Sequence, residues 1–132
     1  MSADLTEYYT IIQENGHLRT PHHAQRWSTA VLKTLGLNLD RRTKRKLARE
    51  LPEELAFPLQ RVFWLLHFRN TNLSRAEFQK MVARRSGNSD GQFARYPVTA
   101  VFQGLKGLIN DQTARAVSDS LSPELRDMWE AA

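Results

Sequence analysis

Cysteine is absent from the 132 residues. Its absence removes disulfides, thiolate catalysis, cysteine-ligated zinc and iron–sulfur clusters together, and it suits a reducing compartment. Long apolar runs are missing too. The longest, Val62 to Leu66, falls far short of the roughly 20 residues that a membrane span needs. The start of the chain, Met1-Ser2-Ala3-Asp4, has neither the basic segment nor the apolar stretch of a signal peptide. A soluble, cytoplasmic protein with no membrane span is therefore expected. Alternation of apolar and polar residues never persists, so no strand is predicted.

Chemistry-bearing motifs are equally scarce. The loop Gly87-Asn88-Ser89-Asp90-Gly91 lacks the lysine and the strand–helix setting of a phosphate-cradling loop. Glu53-Glu54 are adjacent carboxylates at a helix start, where the helix dipole already accounts for them. His22 and His23 would diverge by about 100° on a helix, so they cannot share a metal ion as an i,i+4 pair can. His67 reads as a packed histidine. No nucleophile, base and orienting acid can be assembled, and no catalytic residue, metal or cofactor is expected.

What the chain does contain is a repeat. Adding 70 to a position number turns residues 4–55 into residues 74–125 without a gap. Glu7 meets Glu77, Ala24 meets Ala94, Thr29-Ala30-Val31 meets Thr99-Ala100-Val101, and Leu35 meets Leu105. Thr43, Arg45, Leu51 and Glu54-Leu55 likewise meet Thr113, Arg115, Leu121 and Glu124-Leu125. These eleven identities in 52 positions are several times the roughly 6% that average residue usage would give by chance. A duplicated unit is the economical explanation.

Each half reads as four short helices. Ser74-Arg75-Ala76-Glu77 is a capping box with Leu73 and Phe78 as its hydrophobic staple, and Asp4, Glu7 and Tyr8 stand at the matching places. Thr20-Pro21 opens a helix with the stripe Ala24, Trp27, Val31 and Leu35, which Gly36 should close. Its counterpart starts near Asp90-Gly91, but Pro97 replaces Trp27 and should kink it or delay its start. Asp40 and Asn110 cap the third helices, whose buried stripes are Thr43, Leu47, Leu51 and Thr113, Val117, Leu121. Leu51 to Leu55 and Leu121 to Leu125 announce the fourth. The fold class is all-α: one domain over 1–132, built of two tandem four-helix units related by pseudo-twofold symmetry, packed as one compact globule and joined by a helical connector, 56–73. An apolar content of 41% suffices for a shared core.

The segments Ala30-Val31-Leu32, Leu51 to Leu55, Glu77-Phe78, Met81-Val82-Ala83-Arg84, Ala100-Val101-Phe102 and Pro123-Glu124-Leu125-Arg126 carry a resemblance. Over roughly residues 20–130 the chain resembles the bacterial family catalogued as domain of unknown function 2267. Leu121-Ser122-Pro123 departs from its usual Leu-Pro and leaves the last helix start open by about one residue. The resemblance implies an all-α bacterial domain and brings no activity with it.

Charge supplies the one functional candidate. The formal net charge is +5, yet residues 17–49 carry nine lysines or arginines against Asp40 alone, while residues 111–132 carry five acids against Arg115 and Arg126. On a helix, Arg41, Arg42, Arg45, Lys46 and Arg49 fall opposite Thr43, Leu47 and Leu51. Such a face could be merely solvated, meet an acidic protein surface, or neutralise nucleic acid phosphates. The equivalent segment, 111–119, keeps the stripe and loses most of the charge, so the fold does not require the basic face. A protein partner is expected ahead of nucleic acid. Phe63, Trp64 and Phe68 are possible apolar anchors, though core packing is the preferred reading for them, because monomers rarely display so much contiguous apolar surface. A small-ligand cleft between the halves is the remaining alternative. Partner identity and oligomeric state are not written in the sequence.

Overall fold

Helix starts fall where short polar side chains can reach the amide three residues on. In the computed structural model, which describes residues 5–61, 72–87 and 90–132, those residues form eight α-helices and no strand. Helix α1 spans Thr6–Asn15, α2 Pro21–Asn38, α3 Arg41–Glu50 and α4 Glu53–Gln60. Helix α5 spans Arg75–Arg85, α6 Arg95–Lys106, α7 Asp111–Ser120 and α8 Pro123–Ala131.

Thr20 Oγ1 accepts the His23 amide at 3.2 Å, with Pro21 at the first helical position. Asp40 Oδ1 accepts the Thr43 amide at 2.7 Å and Asn110 Oδ1 the Thr113 amide at 2.8 Å. The capping box at α5 is complete: the Glu77 amide donates to Ser74 Oγ at 3.1 Å and the Ser74 amide to Glu77 Oε1 at 3.3 Å. Each cap satisfies an amide that the helix geometry leaves without an internal partner.

Helices α3 and α7 begin and end seventy residues apart, and α4 and α8 start at the equivalent positions 53 and 123 although the proline has moved from 52 to 123. The second pair differs. Helix α6 starts four residues later than α2 does under the same offset, because Pro97 is tolerated only in the first turn, where its missing N–H has no acceptor to lose. The expectation for Gly36 needs correction. Helix α2 runs through it to Asn38, and a Cβ at Gly36 would collide with the Leu59 carbonyl oxygen of α4. This glycine is a contact point between helices, not a stop. The connector segment carrying Phe63, Trp64, Phe68 and His67, and the Asp4 cap, lie outside the described residues.

The packing order interlaces the chain. Helix α1 lies on α6 and α2, while α5 lies on α2, α6 and α8; α2 also packs on α4 and α6, and α3 on α4 and α7. Each opening helix thus rests on the second helix of the other half. Ile12, Leu32, Leu35, Phe78, Phe102, Leu105, Leu125 and Trp129 are fully buried in one core. Phe102 sits between Phe78, at 6.0 Å, and Trp129, at 5.2 Å and edge-on, separations favoured by aromatic pairs. No helix among the described residues is long and apolar enough to cross a membrane.

Candidate functional site

Helix α3 has a sharply two-sided surface. Thr43, Leu47 and Ala48 are buried, Arg41, Arg42, Arg45 and Arg49 are exposed, and Lys46 is half-buried. Period 3.6 with apolar side chains three to four apart dictates this split. Lys44 lies at the border. Burial lowers its pKa first, and the neighbouring Arg41 charge adds to the effect.

The two carboxylates that flank α3 are turned toward α7. Glu50 Oε1 accepts the Asn110 amide at 2.8 Å, and its other oxygen accepts the Thr113 hydroxyl. At the opposite end the Asp40 amide donates to Ser120 Oγ at 3.0 Å, and that hydroxyl donates to Asp40 Oδ2 at 3.1 Å. The last residue of each helix therefore holds the cap residue of the other, since Glu50 and Ser120 are seventy apart, as are Asp40 and Asn110. With its acids engaged in this clasp, α3 offers solvent an outer face of cations. Among the described residues none of Arg41, Arg42, Arg45, Lys46 and Arg49 has a hydrogen-bonding or ion-pair partner.

Residue by residue, α7 repeats the burial of α3 from position 111 to 119. Its chemistry differs, with Asp111, Gln112, Arg115, Ala116 and Asp119 where α3 has five cations.

Two surface grooves run between helices of different halves. One, between α2 and α5, measures about 310 Å³ and is lined by His22, Gln25, Arg26, Thr29, Lys33 and Arg85. The other, of about 670 Å³, runs beside α1 and α6 and includes Asn15, His17, Arg95, Tyr96, Thr99 and Gln103, with Arg75 and Asp127 at its far side. Under the seventy-residue offset the first groove's Gln25, Arg26, Thr29, Lys33 and Arg85 become the second's Arg95, Tyr96, Thr99, Gln103 and Asn15.

The backbone matches as well. His17, with φ of 57°, and Gly87, with φ of 85°, are equivalent residues in the left-handed region after α1 and α5. His17 places its ring edge-on to Tyr96 at 4.7 Å. At Gly87 a Cβ would stand 2.6 Å from the Arg26 guanidinium, which donates to the Ser86 carbonyl at 2.6 Å. Glycine leaves that guanidinium room where its twin needs only a ring contact.

His23 Nδ1 shares a hydrogen bond of 2.7 Å with Thr20 Oγ1 in the α2 cap, and the two histidine rings are 6.4 Å apart. Among the described residues no three of His, Asp or Glu cluster to hold a metal ion. Glu53 and Glu54 occupy the first turn of α4, and Glu54, together with burial as the larger cause, pushes the Tyr9 hydroxyl pKa upward. The Lys33 and Arg85 juxtaposition escaped sequence reasoning, because its members lie 52 residues apart. The signal that could have found it was the repeat, which sets Lys33 against Gln103 and Arg85 against Asn15.

No curated protein matches the chain. The model of one family, described as an uncharacterized conserved protein (DUF2267), matches residues 6–128. Eight helices, their caps and the matched span agree with the resemblance carried by Leu51 to Leu55 and Pro123 to Arg126, and the chain belongs to this DUF2267 family.

Proposed function

We propose that the protein is a non-enzymatic cytoplasmic interaction module that docks an acidic protein surface on the outer face of α3. One observation carries the reading: α3 and α7 share their pattern of burial, yet only α3 bears the five cations Arg41, Arg42, Arg45, Lys46 and Arg49. Charge of one sign that folding does not require is a selectable feature of the surface. The arginines suit this role because the guanidinium fork can bind a carboxylate through two parallel hydrogen bonds. Long-range attraction of such a patch also speeds encounter with an acidic partner.

The test compares the native protein with a variant carrying Arg41→Ser, Arg42→Ser, Arg45→Ser and Arg49→Ser as bait at physiological salt. Acidic partners held by the native chain should be lost from the variant. Retention of every partner would reject this surface. Duplex DNA presented to both proteins separates the alternative occupant of the same face. Phosphate neutralisation would give a log–log salt slope near −0.9 per phosphate, and such a slope, lost in the variant, would replace the protein partner with nucleic acid.

A further inference from the structure

The two matched grooves differ in one respect that bears on stability. In the α1–α6 groove the Asn15 side-chain amide donates to the Gln103 side-chain carbonyl at 3.0 Å, a neutral pair that closes the gap between helices. In the α2–α5 groove the equivalent positions hold Arg85 and Lys33. Two cations therefore occupy the places where the twin makes a hydrogen bond. Among the described residues neither has a hydrogen-bonding or ionic partner, and no lining residue of this groove is acidic.

The surroundings add further donors. Arg26 is held in place by its bond to the Ser86 carbonyl, with Gln25 beside it in sequence and His22 and Thr29 one turn to either side on α2. Burial lowers the pKa of Arg85, as expected for a guanidinium that lacks a counter-charge.

We propose that the α2–α5 groove is a binding site for a small soluble phosphorylated anion, with Lys33 and Arg85 gripping the phosphate from opposite walls and Arg26 supporting it. An anion in the groove would give each of the two cations a charge-assisted contact. The groove's roughly 310 Å³ exceeds what a lone phosphate fills and accommodates a diphosphate or a phosphomonoester with part of its carrier. This site is separate from the α3 face and does not depend on the reading given for it.

The decisive experiment titrates inorganic pyrophosphate into the full chain by calorimetry and follows amide shifts by NMR. Saturable binding should perturb the α2 residues from His22 to Lys33 and the end of α5. The paired change Lys33→Gln with Arg85→Asn installs the side chains of the twin groove and should keep the fold, read by circular dichroism and Tm. It should weaken pyrophosphate on the order of a hundred-fold, tenfold for each charge-assisted contact removed. The four-serine variant of α3 should bind pyrophosphate as the native chain does, so failure of one reading is distinguishable from failure of the other. Absence of saturable binding at millimolar pyrophosphate, or unchanged affinity in the folded paired variant, would overturn the site. Sedimentation with vesicles containing phosphatidic acid, lost in the paired variant alone, would overturn the soluble ligand in favour of a lipid headgroup.

Discussion

The α2–α4 contact and the α6–α8 contact involve positions seventy residues apart in the sequence and are made in opposite ways. On α2, Gly36 removes a side chain so that the helix can approach the Leu59 carbonyl of α4 directly. On α6 the equivalent residue is Lys106, whose ammonium reaches out to the Trp129 carbonyl at 2.9 Å and the Ala132 carbonyl at 2.8 Å. Leu59 and Trp129 are themselves seventy apart. One position thus brings helices together by subtraction, and its counterpart seventy residues on reaches across with a flexible cation. Lysine also satisfies carbonyls at the end of α8, where the helix has no further amides to offer. Positions seventy residues apart can thus bind a helix to its neighbour by different means.

The comparison breaks most sharply at Gly36. Gly36→Ala should cost about 3 kcal/mol, because the clash is with backbone that cannot rotate away and the helix-propensity gain of about 1 kcal/mol only partly offsets it. Urea unfolding would measure the loss, and a change below the error of the extrapolation would show that α2 and α4 can separate freely. Lys106→Ala, by contrast, should cost about 1 kcal/mol, since the freed oxygens in and past the last turn of α8 are able to find water.

The clasp between α3 and α7 gives the next effect. Glu50→Ala should destabilise by about 2 kcal/mol, as it strips a charged acceptor from both the Asn110 amide and the Thr113 hydroxyl, and Ser120→Ala should cost about as much, because its hydroxyl donates to the Asp40 carboxylate and accepts the Asp40 amide. A loss from either variant below the error of urea unfolding would mean that its end of the clasp adds nothing to stability.

Alkaline pH separates the halves more gently. Tyr8, buried and sharing a hydrogen bond of 2.7 Å with Ser28, and Tyr9, near Glu54, both have pKa values raised, chiefly by burial. Their equivalents are Phe78 and Gln79, which do not ionise. The unfolded hydroxyls release protons near pH 10 while the folded ones retain them. Their contribution is therefore complete below about pH 10 and declines as pH rises toward the folded values. Tyr8→Phe with Tyr9→Phe should flatten the fall in Tm above pH 10, at an expense of about 1 kcal/mol at neutral pH for the lost bond to Ser28. An unchanged alkaline slope would place the titrating groups elsewhere.

Local signals were legible and tertiary ones were not. Thr20, Asp40, Ser74 and Asn110 announce their helices because a cap needs only an amide three residues away, and Pro97 foretold the late start of α6 because its constraint is intrinsic. The buried and exposed sides of α3 followed from period alone. Gly36 was misread because a glycine that stops a helix and one that admits a neighbour look identical until Leu59 is known to face it. Glu50 bonds Asn110 across 60 residues and Lys33 shares a groove with Arg85 across 52, separations over which no local pattern speaks.

The interlacing of α1 on α6 and of α5 on α2 also bears on how the molecule could be divided. Either half, expressed by itself, would leave the flank of its longest helix bare to water. It would find a complement only in the missing half supplied separately or in a second copy of itself. Cut and mixed, the two fragments should reassemble by exchanging their first helices, as two strangers' hands interlock.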